Sequence, residues 1–153
     1  MGSNISPETI VEPSDYTEDM RTVLFSKGSV DVDRMLKGDF SWATELLMEN
    51  NVCLTANGQL YRRDKQGFMP EMVEKMFAER KIYKAKMLEA EAEYEKETDS
   101  EKRTKIKNRI LKYKNLQLSK KVSLNSLYGA SGSKFFRFFD LRNAIAITTT
   151  GQL

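Results

Sequence analysis

The feature that most constrains the fold is a helical pattern that runs from Pro70 to Tyr94 with no Gly or Pro after its start. Its inward positions recur at alternating spacings of three and four, which is typical of a helix that packs along a coiled-coil seam. They are Val73, Met76, Arg80, Tyr83, Met87, Ala90 and Tyr94. Pro70 suits the first turn of a helix, where its missing amide hydrogen costs no hydrogen bond. The pattern predicts one long helix whose seam is apolar except at Arg80.

A second helix with a matching seam follows after a short turn. Thr98 and Glu101 have the spacing of a capping box, so a turn near 98–99 is expected to reverse the chain. A helix is then predicted to about Tyr128, and its seam continues through Ile106, Ile110, Tyr113 and Gln117. The result is an antiparallel helical hairpin, in which the numbers of facing residues sum to about 197.

Both predicted seams turn polar at the same height, because this register places Gln117 opposite Arg80. A polar seam residue lowers the stability of a coiled coil, so a polar pair at one height favours a functional role. Alternatively, the Arg80 side chain extends its charged head to solvent, as long basic side chains often do.

The rest of the chain predicts shorter elements. Residues 1–30 indicate an extended connection with at most short elements, and residues 31–50 indicate a helix. Gly38–Asp39 interrupts that helix, so two short helices are also possible. Residues 52–62 predict a β-hairpin with a two-residue type I′ turn at Asn57–Gly58. The predicted fold class is mainly α, with a long antiparallel helical hairpin and a small β-hairpin.

Composition excludes several kinds of site. The chain has no His and a single cysteine, Cys53. Ser-His-Asp and Cys-His catalysis, His-ligated metals and zinc clusters are therefore excluded. One cysteine leaves no internal disulfide framework and fits a reducing compartment. No apolar run approaches the roughly 20 residues that span a bilayer, so no membrane partner is expected.

The net charge of +3 is the sum of very unequal regions. Residues 1–60 carry four basic and ten acidic side chains, for a charge of −6, and residues 61–100 carry −1. Residues 101–153 carry twelve basic side chains against two acidic ones, for a charge of +10. This polarity indicates a polyanionic partner for the C-terminal third, or else a solvated lysine-rich helix.

A cluster of polar residues is predicted where the two helices meet. Its members are Arg80, Lys84, Lys121, Asn125, Tyr128 and Gly129. Lys121, Asn125 and Tyr128 share one face of the second helix, because they are spaced at i, i+4 and i+7. Arg80 and Lys84 are an i, i+4 pair on the first helix. Converging Arg and Lys side chains suit a polyphosphate, although this spacing alone also occurs on solvated helix faces.

The sequence around Lys121 resembles a known family. KVSLNSLYGA, residues 121–130, resembles the Lys-x3-Asn-Ser-x-Tyr-Gly motif of family B DNA polymerases. FRFFDLRNAIAITTTGQ (136–152), PEMVEKMFAERKIYK (70–84) and NISPETI (4–10) are similar to segments of the polymerases of T-even-like bacteriophages. The resemblance implies the fingers segment that lies between the two palm aspartate motifs. It implies a palm-flanking segment over 1–60, the fingers helical hairpin over 61–130 and a return segment toward the palm over 131–153.

The resemblance also implies roles for single residues. The residues that would contact the triphosphate of the incoming dNTP are Arg80, Lys84, Lys121 and Asn125. Tyr128 and Gly129 would line the pocket of the nascent base pair. In the family, the fingers rotate toward the palm when the correct nucleotide binds, which couples pairing geometry to chemistry.

The resemblance further implies that the chain is inactive as a polymerase by itself, because neither palm aspartate motif is present. Glu97-Thr98-Asp99-Ser100 imitates the second motif but precedes Lys121, so it is interpreted as a turn and a helix cap. No cofactor is expected on this chain, and Mg²⁺ belongs to the complete polymerase. The implied partners are dNTP, primer-template DNA and the remaining palm and thumb regions, in the cytoplasm of an infected bacterial host.

Two alternatives stay open from the sequence. In the first, the chain would be a separately encoded subunit of a split phage polymerase. In the second, it would be a non-catalytic basic coiled-coil module that binds nucleic acid through residues 101–142.

Overall fold

A computed structural model describes residues 3–25 and 28–153, which form two compact units. The first unit comprises Met1–Glu71 with Ala130–Leu153, and the second comprises Met72–Gly129. Four residues of the predicted extended connection over 1–30 lie outside the described part. The described residues are mostly helical with one small β-hairpin, so the predicted mainly α fold class is confirmed.

The first unit begins with short helices. α1 spans Glu18–Phe25, α2 spans Val32–Leu36 and α3 spans Thr44–Glu49, with 3-10 turns at Pro13–Asp15 and Ser41–Ala43. The region 31–50 therefore contains two short helices, which was the alternative to one continuous helix. Gly38, at φ +78°, lies between them in a conformation that favours glycine.

The predicted β-hairpin is confirmed, with β1 at Val52–Leu54 antiparallel to β2 at Leu60–Arg62. The predicted type I′ turn is wrong, because only Gly58 of the Asn57–Gly58 pair has a positive φ, +79°. Thr55 and Gln59 still pair, because the Thr55 amide donates to the Gln59 carbonyl at 3.0 Å. The loop between them therefore has three residues, 56–58. Contacts of Asn57 explain the difference. Its side-chain oxygen accepts from the Thr55 hydroxyl at 2.7 Å, and its amide donates to the Arg142 carbonyl at 3.1 Å.

The core of the first unit packs against this hairpin. Its buried members are Val11, Met20, Leu24, Val52 and Leu60. The segment before Val11 extends the sheet through a bridge between Ile10 and Tyr61, and the Val11 amide donates to the Leu60 carbonyl at 2.9 Å. An otherwise isolated two-stranded hairpin is only marginally stable in water, so this added strand-like segment stabilises it.

Residues 4–9 hold the start of α4, the helix that spans Phe68–Lys96. The Glu8 carboxylate accepts hydrogen bonds from the Ser6 hydroxyl and the Phe68 amide. Although desolvation raises the pKa of Glu8, these hydrogen bonds lower it overall. Gly67 packs so closely on Ser6 that a Cβ added there would lie 2.4 Å from the Ser6 Cβ.

A last helix, α6, spans Leu141–Thr150 in a region predicted only as a return segment. Asp140 is its N-cap, and its carboxylate accepts from the Arg142 amide at 2.9 Å. The Tyr61 hydroxyl donates to the Asn143 side-chain oxygen at 2.7 Å, and both side chains are buried. This bond ties α6 to β2 across 82 positions of sequence.

The second unit is the predicted antiparallel helical hairpin. α4 is joined through residues 97–99 to α5, which spans Ser100–Ser131. The predicted turn near 98–99 is confirmed, but Thr98 is not the cap. Asp99 caps α5 instead, because its carboxylate accepts from the Glu101 amide at 3.0 Å. The Glu97 carboxylate accepts from the Thr98 and Asp99 amides, which lowers its pKa.

Candidate functional site

The predicted seam is confirmed by burial. Every predicted seam residue of α4 is buried or half-buried, and the same holds for Ile106, Ile110, Tyr113 and Gln117 on α5. Ala90 and Leu124 are the most deeply buried side chains of the second unit, at 2% and 7% exposure. Arg80 and Gln117 are both half-buried, so the seam does contain polar side chains on both helices.

Four side-chain pairs across the seam show the register of the two helices. They are Glu79–Lys120, Lys86–Tyr113, Glu93–Arg109 and Tyr94–Arg103. The Arg103 guanidinium lies 4.5 Å from the centre of the Tyr94 ring, and the Lys86 ammonium lies 5.9 Å from that of Tyr113. The residue numbers of the pairs sum to 197–202, so the predicted register is confirmed to within about one helical turn.

Three of these pairs lie on one side of the seam, which we call the paired flank. On α4 they use Glu79, Lys86 and Glu93, which follow each other at seven-residue intervals. Seven residues are close to two helical turns, so such residues form one line along a helix. The ion pair with Lys120 lowers the pKa of Glu79 and raises the pKa of Lys120.

The other side of the seam, the open flank, carries four lysines. Lys84 directly follows the seam residue Tyr83 on α4, and Lys107 and Lys114 directly follow Ile106 and Tyr113 on α5. Lys121 lies seven residues after Lys114 and continues the same line along α5. These lysines share one side of the seam for a geometric reason. The two helices are antiparallel, so residues at the same heptad position on the two helices lie on the same side of the seam and face each other. Glu93 and Arg109 show this relation on the paired flank, since each directly precedes a seam residue.

The structure places the predicted site residues as follows. Lys121, Asn125 and Tyr128 are exposed along one face of α5, as their spacing predicts. Gly129 ends this face, and nothing lies within 4 Å of a Cβ built on it. On α4, Lys84 is exposed and Arg80 is half-buried in the seam.

The closest support for a converging cluster is the Glu79–Lys120 ion pair. This pair joins α4 and α5. Arg80 directly follows Glu79 on α4, and Lys121 directly follows Lys120 on α5, so both lie within one helical turn of the ion pair. Lys120 is used by this pair, whereas Lys121 forms no ion pair with any described residue. The convergence of Arg80, Lys84 and Lys121 on one ligand stays a prediction.

A polar network in the first unit was not predicted. The Arg142 guanidinium donates to the carboxylates of Asp140, at 2.8 Å, and Glu12, at 2.9 Å. These contacts lower the pKa of both carboxylates and raise that of Arg142. Burial is the main cause that raises the pKa of Tyr61, which binds Asn143 nearby. Asp140 in front of an apolar helical pattern is the signal that could have predicted the start of α6.

Residues 3–25 and 28–153 contain no group of three or more His, Cys, Asp or Glu side chains that could hold a metal ion. Glu97-Thr98-Asp99-Ser100 lies at the turn and the first residue of α5, as predicted. Within the same described ranges, no helix is both long and apolar enough to cross a membrane.

Comparison with known proteins gives the same family over the whole length. The family described as DNA polymerase family B matches residues 1–153. The DNA-directed DNA polymerase of Escherichia phage RB69 is 32% identical over 63% of this chain and 15% of its own length. The DNA-directed DNA polymerase of Enterobacteria phage T4 is 31% identical, also over 63% of this chain and 15% of its own length. The chain thus matches about a seventh of the length of these curated relatives.

Proposed function

Because the chain belongs to DNA polymerase family B, we propose that it is the fingers portion of a replicative DNA-directed DNA polymerase. It binds the triphosphate of the incoming dNTP and closes over the nascent base pair. The observation that carries this proposal is the half-buried Arg80, which lies in an otherwise mostly apolar seam within one turn of the Glu79–Lys120 pair. A hairpin built only for stability would keep an apolar residue there.

The chemistry of the residues around Arg80 fits a triphosphate. A guanidinium offers a planar fork that binds two phosphate oxygens, while Lys84 and Lys121 supply compact charges. Asn125 adds an amide that donates a hydrogen bond, one turn after Lys121 on the same face.

Tyr128 and Gly129 fit the other end of the nucleotide. The Tyr128 side chain is 44% exposed and offers an aromatic face to a base pair. Gly129 leaves its backbone open, because nothing would contact a Cβ at that position. A base pair can therefore approach the helix closely there.

In this proposal the chain binds and orients the nucleotide, while Mg²⁺ is held by the remaining palm of the complete polymerase. Two metal ions would stabilise the attacking and leaving oxygens there. The partners are therefore dNTP, primer-template DNA, and the palm and thumb, in the cytoplasm of an infected bacterium. No primer extension is expected from this chain alone, and extension by the purified chain in Mg²⁺ would overturn that expectation.

Titration of the chain with dATP tests the binding role. Arg80→Ala and Lys121→Ala should each weaken binding about tenfold or more, since hydrogen bonds to charged groups contribute about 1.5–3 kcal/mol. Lys112→Ala is the matched control, because Lys112 is exposed on α5 away from this face. Equal weakening by all three variants would refute the proposal. Circular dichroism and an Arg80→Lys variant separate lost contacts from lost folding.

One observation favours a second function, a non-catalytic coiled-coil module that binds nucleic acid. Residues 101–153 carry a charge of +10, which suits any polyanion. Such a module would bind DNA with a steep salt dependence and would not distinguish dATP from dAMP. The separate-subunit alternative is tested by adding a palm and thumb chain, which should restore primer extension only if the two chains associate.

A further inference from the structure

The open flank carries cations beyond the proposed nucleotide site. Lys107 and Lys114 precede Lys121 at seven-residue intervals, so the three form one line along α5. All three are exposed, and none forms an ion pair within the described ranges. Lys107 and Lys114 have no role in the triphosphate contacts proposed above.

The two flanks differ in how their charges are satisfied. On the paired flank, Glu79 and Glu93 neutralise cations of α5. On the open flank, the residues of α4 that occupy the corresponding positions are Phe77, Lys84 and Glu91. Glu91 is the one carboxylate among them, and it forms no ion pair with the rest of the described chain. The open flank therefore carries three lysines in line on α5 and Lys84 on α4, with Glu91 as the one carboxylate at these positions.

Apolar side chains accompany these lysines. Leu111 and Leu118 follow Lys107 and Lys114 by four residues, which places each next to the preceding lysine on the helix surface. They are 47% and 44% exposed, and Phe77 on the open flank of α4 is 48% exposed. Cations that follow a backbone beside aromatic side chains that stack on bases are the pattern of single-strand binding. The aromatic residue here is Phe77, and the Lys81 ammonium lies 5.4 Å from the centre of its ring.

We propose that the open flank binds the sugar-phosphate backbone of single-stranded nucleic acid, with Lys107 and Lys114 as its contacts outside the nucleotide site. Lys107 and Lys121 are about 21 Å apart along the helix at 1.5 Å per residue. At about 3.4 Å per nucleotide, a stacked strand would cover this distance with roughly six nucleotides. The lysines would then contact roughly every third phosphate of the strand.

The test uses the full chain and fluorescein-labelled oligo(dT) of twelve nucleotides, with binding measured by anisotropy across a salt series. The variant K107Q/K114Q removes the two new contacts. The matched control is K102Q/K112Q, which removes the same charge from exposed lysines of α5 that also form no ion pair among the described residues but lie off the open flank. Removing two phosphate contacts should reduce the slope of log K against log salt by about 1.4. At low salt, K107Q/K114Q should bind about tenfold more weakly than the control.

Three outcomes would overturn the proposal. The first is equal weakening in both double variants, which indicates attraction by net charge alone. The second is tighter binding of a duplex of the same length with the same dependence on Lys107 and Lys114. The third is no binding of oligo(dT) by the unmodified chain at low salt.

The proposal fails or succeeds separately from the nucleotide site. K107Q/K114Q should leave the affinity for dATP unchanged, whereas Arg80→Ala should reduce it and affect oligo(dT) much less. A loss of dATP binding in K107Q/K114Q would mean that the two sites are one, which also contradicts the inference.

Discussion

The two units use polar side chains in opposite ways. In the first unit, Tyr61 and Asn143 are buried at 0% and 1% exposure, and a hydrogen bond joins them although 82 positions separate them in the sequence. In the second unit, Glu79 and Lys120 pair with about a third of each side chain exposed. Buried polar groups are costly unless they are paired, while exposed ion pairs contribute little. A buried polar contact therefore joins distant segments of the first unit, whereas the second unit carries Lys107, Lys114 and Lys121 without an ion pair among the described residues.

The largest expected effect contrasts two tyrosines. Tyr61→Ala should lower the free energy of unfolding by about 3–5 kcal/mol, because it leaves a cavity and removes the partner of Asn143. Tyr128→Ala should cost clearly less, about 1 kcal/mol, since 44% of that residue is already exposed in the fold. Urea denaturation monitored by circular dichroism measures both. Tyr61→Phe separates the hydrogen bond from the cavity and should cost about 1–3 kcal/mol.

The next effect contrasts one substitution at two glycines. Gly67→Ala should destabilise by about 1–3 kcal/mol, because the new Cβ would overlap Ser6. Gly129→Ala should stabilise by about 0.5–1 kcal/mol, because Gly129 lies within α5 and its Cβ would meet nothing. Thermal melts of the two variants should therefore move in opposite directions. A shift of the same sign in both would contradict the packing described at Gly67.

A smaller effect depends on pH. The hydrogen bond from Arg142 is the first cause that lowers the pKa of Asp140 below its ordinary 3.8. A lowered carboxylate pKa stabilises the fold above the unfolded value, and this contribution is lost as pH falls through the folded value. Asp140→Asn should therefore be less stable than the unmodified chain at pH 7, and the difference should vanish well below pH 3.8. A constant difference down to pH 2 would rule out this charge effect.

The smallest effect is expected on the paired flank. Glu79→Gln removes the ion pair with Lys120, in which about a third of each side chain is exposed to solvent. The melting temperature should not change measurably, because exposed pairs are weakened by solvent and by side-chain entropy. Hydrogen exchange of α4 and α5 amides provides a second readout. Marked loss of protection in α4 would show that the ion pair is structural after all.

Much of the second unit could be predicted because its rules are local. Apolar spacing along α4 and α5 sets the seam, and residues such as Ala90 are buried where the spacing places them. The same spacing places Lys121, Asn125 and Tyr128 on one face. The α4 side chains that face them depend on the register of the two helices. The spacing pattern predicts that register only to within about one helical turn.

What was missed depends on residues far away in sequence. The type I′ turn at Asn57–Gly58 failed because the Asn57 amide binds the Arg142 carbonyl, 85 positions later. Tyr61 and Asn143 gave no local sign that they would pair. At the tip the error was smaller, because Thr98 and Asp99 are both good caps and the choice between them depends on loop geometry.

The three-residue link at 97–99 gives the hairpin freedom to change its length during evolution. Removing or adding seven residues in each helix near this link would preserve both flanks, since seven residues return each helix to nearly the same orientation. Insertions or deletions of other lengths would rotate Lys107, Lys114 and Lys121 away from their side of the seam. Homologous hairpins should therefore differ in reach mainly by matched steps of about 10 Å at 1.5 Å per residue. Each step would add or remove one phosphate contact while the residues around Arg80 stay unchanged.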